Sequence, residues 1–588
     1  MRFQNLRSRP YLALLICLFA LIDPAAGAKI YKGTAVFTRI GVVIELAESM
    51  TKTELTNLQG KFGGTLAIKP LSDEVGAQSG EQFIFDYGPE RIDGKRLLIR
   101  FTWKPLQDYR ITLKWEDSSR LEARGTSPLK PAPYPIRIVE LDNSLSLLAN
   151  LQRPATPTTV AFSPGGERLA IASNAGHLTI INPLTGDEIW KTRISEGYAK
   201  HATFSPYGRR LYIGEQSADG FIYAYDLSGS RPALLWKYRM ADDIDTSMPH
   251  NPNDVYAWVQ YPGPYRITVT ESDDLLVAGN HSWTRDGVGL KKAQLYRFDG
   301  ETGHRKWKWP RTQILPMTIS WFDHSRDGKT IALLAYKRGS TDSTQFKPGT
   351  LYIIDGETGE PRWEYTFEPL KPYFEEVTFW RGVSVSPDGD FVNVTTDDGR
   401  AFIFNTMPKQ EQIKPLWETA LTTPLEVSGI PIIATSGTVG GTDKLAFFVT
   451  GDTFIPYHLQ KGAQQPPSAH PNGMTLFAYS WSGEKIWQWK LENMPQGLRV
   501  DAAGRYAAVS VSRRGGNIED QLHGVSLFDS TAKGGGLAKY LYTYRTEGQL
   551  PYDTIDLSAD GRFIAVIETP VVMPDETPCG KNRVHVLQ

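Results

Sequence analysis

The scarce reactive side chains of this 588-residue chain are ten histidines and two cysteines, and their spacing limits the chemistry available to it. Cys17 and Cys579 lie far apart, and no Cys-x-x-Cys-His run offers haem attachment. No His-Glu-x-x-His presents two imidazoles and a base to zinc. No Gly-x-Ser-x-Gly elbow exposes a nucleophilic serine, and no glycine-rich phosphate loop follows a strand and opens a helix. Five histidines, His250, His281, His458, His470 and His523, stand in polar loops. They could converge on a metal, but isolated histidines in such loops are ordinarily solvated or hydrogen-bonded. Asp242, Asp243 and Asp245 have the acidity of a cation loop without the spacing or the downstream Glu of an EF-hand. Asp323 and His324 adjoin a Ser325-Arg326-Asp327-Gly328 turn, where polar residues are usual. No catalytic residue, metal ligand or cofactor is assigned on these grounds.

The elements that would position any site are repeated. An apolar strand, a turn such as Asp-Gly-Glu-Thr-Gly and a strand bearing Trp recur at about 40–70 residues, the period of four-stranded propeller blades. IINPLTGDEIWKT surrounds Trp190, LYRFDGETGHRKWKW Trp307, YIIDGETGEPRWEY Trp363 and LFAYSWSGEKIWQW Trp487, with a looser copy around Trp236. Each unit opens with a strand ending in a Ser-Pro-x-Gly type turn, as in VAFSPGGERLAIA and VSVSPDGDFVNVT. Proline and aspartate pre-set such a turn and glycine takes positive φ. The second strand is apolar on both faces, as a strand between stacked blades must be. Fourth strands fall at Trp190, Trp236, Trp307, Trp363, Trp417, Trp487 and Tyr542. An eighth unit from Thr554 ends at RVHVLQ without a fourth strand. SLSLLANLQ, residues 144–152, is expected to supply it and remove an open sheet edge. The expectation is an all-β, eight-bladed β-propeller over 144–588, with seven blades as the alternative.

In such a blade the connections between second and third strands, and from one blade to the next, share a face. The insertions fall there: 280–292, 337–349, 450–473, 512–524, 568–582 and the long connection 240–265. Long loops on a rigid scaffold are where function usually sits. The face offers Tyr256, Trp258, Tyr261, Trp283, Phe454 and Tyr457 with the five histidines. Aromatics with polar neighbours suit a protein or glycan surface. The alternative is that they pack the loops onto the ring.

Charge is nearly balanced, 64 Lys and Arg against 65 Asp and Glu, which offers nothing for nucleic acid. Residues 1–28 read as a signal peptide: Arg2, Arg7 and Arg9, an apolar run Tyr11–Ile22 too short to span a bilayer, then Ala26-Gly27-Ala28. No later stretch is long and apolar enough to cross a membrane. Cys17 lies within the apolar run, and Ile16 before it does not suit a lipoprotein processing site. Cleavage near Ala28 would leave Cys579 alone, so the mature chain is expected to be exported, periplasmic or extracellular, without an intramolecular disulfide. Residues 29–122 alternate with period two and read as a small Ig-like β-sandwich, and a Pro-rich linker follows over 123–143.

The T-G-x-x-x-W phrase resembles the tryptophan-docking repeats of quinoprotein, PQQ-type propellers, and the FSP-x-G opening is similar to WD40 repeats. The resemblance covers roughly 144–588 and implies that the repeat tryptophans pack on neighbouring blades. It also implies two kinds of function. One is a PQQ-dependent oxidoreductase with Ca²⁺ and an Asp base; many alcohol-oxidising members carry a vicinal Cys-Cys pair, which this chain lacks, and no base or ligand set can be matched to its residues. The other is a non-catalytic scaffold of the bacterial envelope that binds a protein, peptide or glycan, as the assembly propellers do. The second is preferred. A glycan- or lactone-cleaving propeller, with acids and histidines around the central channel, is a further alternative.

Overall fold

A computed structural model gives the architecture. From residue 156 onward it describes all but 196, 230, 248–259, 286–287, 337–345, 410–411, 463, 513–522 and 573–577; before that it describes short segments between 30 and 140. The chain divides into two compact units, Met1–Tyr134 and Pro135–Gln588. The expected signal peptide lies outside the described residues. Among the described residues no helix is long and apolar enough to cross a membrane.

The described strands of the first unit join in one eight-stranded sheet. Ile30–Thr38 pairs antiparallel with Gly41–Leu46 and parallel with Arg120–Thr126. Phe37, Val42, Ile44, Ile111 and Leu121 are its buried side. Alternation signalled the strands, but it does not choose partners. Hydrogen bonding joins the described strands in one sheet with one parallel pair.

The second unit is a β-propeller. Eight sheets follow one another, seven of four strands and one of five. Their innermost strands are Pro157–Phe162, Tyr198–Phe204, Gly263–Val269, Thr318–His324, Val383–Val385, Ile430–Gly441, Pro495–Val500 and Ile555–Leu557. Each touches the next in order, and the last touches the first. The second strands are mostly buried, fully so in Thr330–Tyr336 and Tyr506–Val511, whereas outer strands such as Glu188–Arg193 are half exposed.

The two repeated turns have distinct physical roles. In the first, the serine hydroxyl accepts the N–H five residues on: Arg168 N to Ser163 Oγ (3.0 Å), Thr330 N to Ser325 Oγ (3.0 Å), Phe391 N to Ser386 Oγ (2.9 Å) and Phe563 N to Ser558 Oγ (2.8 Å). Asp501 does the same for Tyr506 N (2.6 Å), which explains the serine-free copy LRVDAAGRYAAVS. In the second, the turn of one sheet seats on the tryptophan of the sheet before. Trp236 Nε1 donates to Gly300 O (3.0 Å), Trp307 Nε1 to Gly356 O (2.8 Å) and Trp363 Nε1 to Thr406 O (2.8 Å). Gly359, at φ +73°, lies so close to the Trp307 ring that a Cβ there would stand 2.7 Å from it. Gly483 is likewise close to Trp417, which also packs on Tyr479 (4.7 Å between rings), while Trp190 packs on Tyr225 (5.3 Å) and Trp487 on Phe528 (5.7 Å). Tyr542 packs against the buried cluster of the last two sheets.

The last sheet is completed by Pro135–Glu140, which pairs antiparallel with Arg583–Leu587. The expected segment 144–152 lies outside the described residues, and the linker assigned to 123–143 therefore contains the closing strand. Both runs are short and apolar at alternate positions, so the sequence alone does not choose between them. The insertion at 280–292 also differs from expectation. Asp274–Arg285 and Val288–Asp299 stay paired to their tips, Arg285 opposite Val288, so this is a long hairpin rather than a loop.

Candidate functional site

Side chains at alternate positions of the innermost strands face the propeller axis. There the strands diverge and leave a cavity of about 350 Å³ lined from all eight. His201 and Thr203, Arg266 and Thr268, and Trp321 and Asp323 are three such i, i+2 pairs. Arg266 Nη2 donates to Asp323 Oδ1 (2.9 Å), and its guanidinium stacks on Trp321 (4.4 Å). Asp323 also accepts Ser384 Oγ and Val385 N, both at 3.0 Å. Asp553 bridges two arginines, Arg499 Nη1 and Arg381 Nη1, each at 2.8 Å. Arg381 in turn lies between the faces of Trp321 (4.5 Å) and Tyr552 (4.2 Å). Arg381 and Asp553 have φ of +55° and +58°, a conformation that non-glycine residues hold only where surroundings impose it. Arg381 and Tyr552 come from inter-sheet connections, which places them at the long-loop end of the cavity.

The carboxylates are driven apart. Burial alone would raise Asp553, but Arg499 and Arg381 outweigh it and hold the group at about 2. Burial lifts Asp556 to about 6; its Oδ2 accepts Phe162 N (2.8 Å), and Arg499 Nε stands 3.8 Å from its Oδ1. Burial lowers Lys200 to about 7, with Arg381 adding to the effect. A carboxyl whose folded value is raised from 3.8 binds an extra proton in the native state between about 4 and 6, so its contribution weakens as pH rises through that window. Asp556→Asn is therefore expected to raise Tm at pH 7.5 by about 1–3 °C and to flatten the Tm profile between pH 4 and 6. Thermal unfolding of both proteins across that range checks it.

The loop residues separate into two groups. His281 is buried, its Nδ1 2.8 Å from Ile244 O and its ring stacked on the buried Trp283 at 4.2 Å. His470 is buried; its Nε2 donates to Thr423 O (2.8 Å) and its Nδ1 accepts Asn472 N (3.1 Å), fixing one tautomer. His523 is buried against Ser512 Oγ (2.8 Å), and Tyr261 is also buried. These five residues are buried. Phe454, Tyr457 and His458 stay together at the surface. Phe374 meets Phe454 edge-on (6.3 Å), Phe454 meets Tyr457 (5.9 Å), and His458 Nε2 donates to Pro372 O (2.7 Å). Tyr457 is 84% exposed. His250, Tyr256 and Trp258 lie outside the described residues.

The acidic run 242–245 is committed to cations of the two sheets it connects. Asp242 pairs with Arg239 (2.5 Å), Asp243 with Lys308 (2.5 Å) and Arg305 (3.0 Å), and Asp245 with Lys292. Among the described residues no three His, Cys, Asp or Glu side chains form a metal-binding group. Asp323 and Asp553 do not fit a Ca²⁺ ligand set, because Arg266, Ser384 and Val385 N take the oxygens of the first and Arg381 and Arg499 those of the second. Sequence reasoning missed the axial charges. Their signal was a charged residue inside an otherwise apolar first strand: Arg266 in GPYRITV, Asp323 in TISWFDH and Arg499 in PQGLRV.

The chain is a β-propeller whose repeats are similar to PQQ-type repeats. The family model described as outer membrane protein assembly factor BamB matches residues 176–465. Among solved structures, the β-propeller domain of Myceliophteria thermophila Cps50 (Swd1) is similar at 11% identity and a TM-score of 0.39, covering 78% of this chain and 99% of that one. Saccharomyces cerevisiae Sqt1 is similar at 10% identity and a TM-score of 0.45, covering 74% and 95%. No curated protein matches the chain in sequence.

Proposed function

We propose that this protein is an exported, non-catalytic binding or assembly scaffold of the bacterial envelope, which holds a protein, peptide or glycan on its long-loop face. The observation that carries the reading is the aromatic ladder Phe374–Phe454–Tyr457. Two loops from different sheets converge on it, buttress each other through His458 and Pro372, and leave one tyrosine 84% exposed. A tyrosine held by rigid neighbours contributes large contact area at little entropic cost, as interface anchors do. The match to a family described as an outer-membrane assembly factor supports the envelope setting. The leader-like residues 1–28 support export.

Tyr457→Ala is expected to weaken partner binding by about 2 kcal/mol, roughly thirtyfold, while Tm stays within about 1 °C. Affinity of the purified partner for both forms measures this. Binding that survives both this change and deletion of residues 452–471 would contradict the face assignment.

One observation favours a second reading, a glycan- or lactone-cleaving propeller: Asp553 and Asp556, near His201 in the cavity, have widely separated pKa values, as acid–base pairs do. Hydrolysis of such substrates that disappears in Asp556→Asn would support it over the scaffold.

A further inference from the structure

The axial cavity sets three arginines, Arg266, Arg381 and Arg499, against three carboxylates, Asp323, Asp553 and Asp556. Its polar atoms are incompletely used. Among the described residues, four buried atoms in or beside it have no hydrogen-bond partner: Arg266 Nε, Arg381 Nη1, His201 Nε2 and Thr268 Oγ1. Arg381 Nη1 is close enough to Asp553 for charge attraction but misaligned for a hydrogen bond. A buried polar atom without a hydrogen-bond partner is costly, and four around one cavity call for a common ligand group. The two stacked guanidinium groups are planar forks whose geometry matches a carboxylate or a phosphate. The volume, about 350 Å³, suits a small molecule and not a polymer segment.

We infer that the axial cavity binds a small oxyanion ligand, a molecule carrying a carboxylate or phosphate group, which Arg266, Arg381, His201 and Thr268 would hold. This site is separate from the Tyr457 surface and does not rest on the scaffold reading. The ligand supplies the partner that the four unpartnered atoms lack. Its access is from the long-loop end, past Arg381 and Tyr552.

Calorimetric titration of the full chain with succinate, and separately with inorganic phosphate, tests the inference at low ionic strength, with chloride as the monovalent control. One saturable site is expected for at least one of the two, and the tighter of them identifies the group recognised. His201→Phe, which fills the space, and Thr268→Val, which removes a hydroxyl without touching an ion pair, should each weaken it about tenfold with Tm unchanged. Absence of saturable binding for both probes up to roughly 10 mM would overturn the inference. So would binding that both variants leave unaltered, since the anion would then sit elsewhere on the surface.

Discussion

Replacing Asp553 with asparagine is expected to destabilise the propeller by about 3–5 kcal/mol, the usual cost of removing one partner from a buried ion pair. Asp553 is nearly buried, with its side chain 7% exposed, and it is the carboxylate that faces both Arg381 and Arg499. Without its charge, two arginines, one from a strand and one from an inter-sheet connection, are left close together at the axis. Asparagine tolerates the left-handed backbone that the residue adopts at +58°, so the loss would report charge rather than strain. The pH dependence gives a second reading. A carboxylate held at about 2 contributes stability that is complete above its unfolded value near 3.8 and is lost as pH falls toward 2. The variant should lack that acid limb. Denaturant unfolding followed by tryptophan fluorescence measures both effects. A change below about 1 kcal/mol at neutral pH would mean that water, not Asp553, compensates the arginines.

The next largest effect is expected where sheets lock together. Trp307 lies in a buried cluster, donates to Gly356 O and supports Gly359 of the following turn. Trp307→Ala should cost about 3–5 kcal/mol through lost packing and the cavity left behind. Gly359→Val should also destabilise, because its φ of +73° disfavours a β-branched residue and its Cβ would meet the ring at 2.7 Å. The contact part of that penalty depends on the indole. The double variant should therefore be less destabilised than the sum of the singles, by about 1 kcal/mol or more. Strict additivity would show that the turn and the tryptophan do not seat on each other.

Much of the fold was legible because its signals are local. The Ser-Pro-x-Gly turn is a hydroxyl accepting an N–H five residues away, and Asp-Gly-Glu-Thr-Gly is a turn that presents a glycine to an indole. Both lie within a dozen residues, so sequence displays them. The closing strand was not legible, because Pro135–Glu140 and residues 144–152 present similar short apolar patterns and only pairing with Arg583–Leu587 distinguishes them. Burial of His281, Trp283 and His470 was also hidden. Each is fixed by partners distant in sequence, such as Ile244 for His281 and Thr423 for His470. The axial cluster is the extreme case. Arg266 and Asp553 are separated by nearly half the chain and meet only because every innermost strand points at one axis. A charged residue recurring in apolar first strands was the one trace they left.

The central claim is that partners bind on the face marked by Tyr457. A photo-cross-linking residue placed at position 457, with a control at Asp388 in a first-to-second-strand turn, tests it most directly in cells that make the protein. One discrete adduct is expected from position 457, suppressed by excess unlabelled wild-type protein, and none from 388. Equal cross-linking from both positions, or adducts from 388 alone, would contradict it.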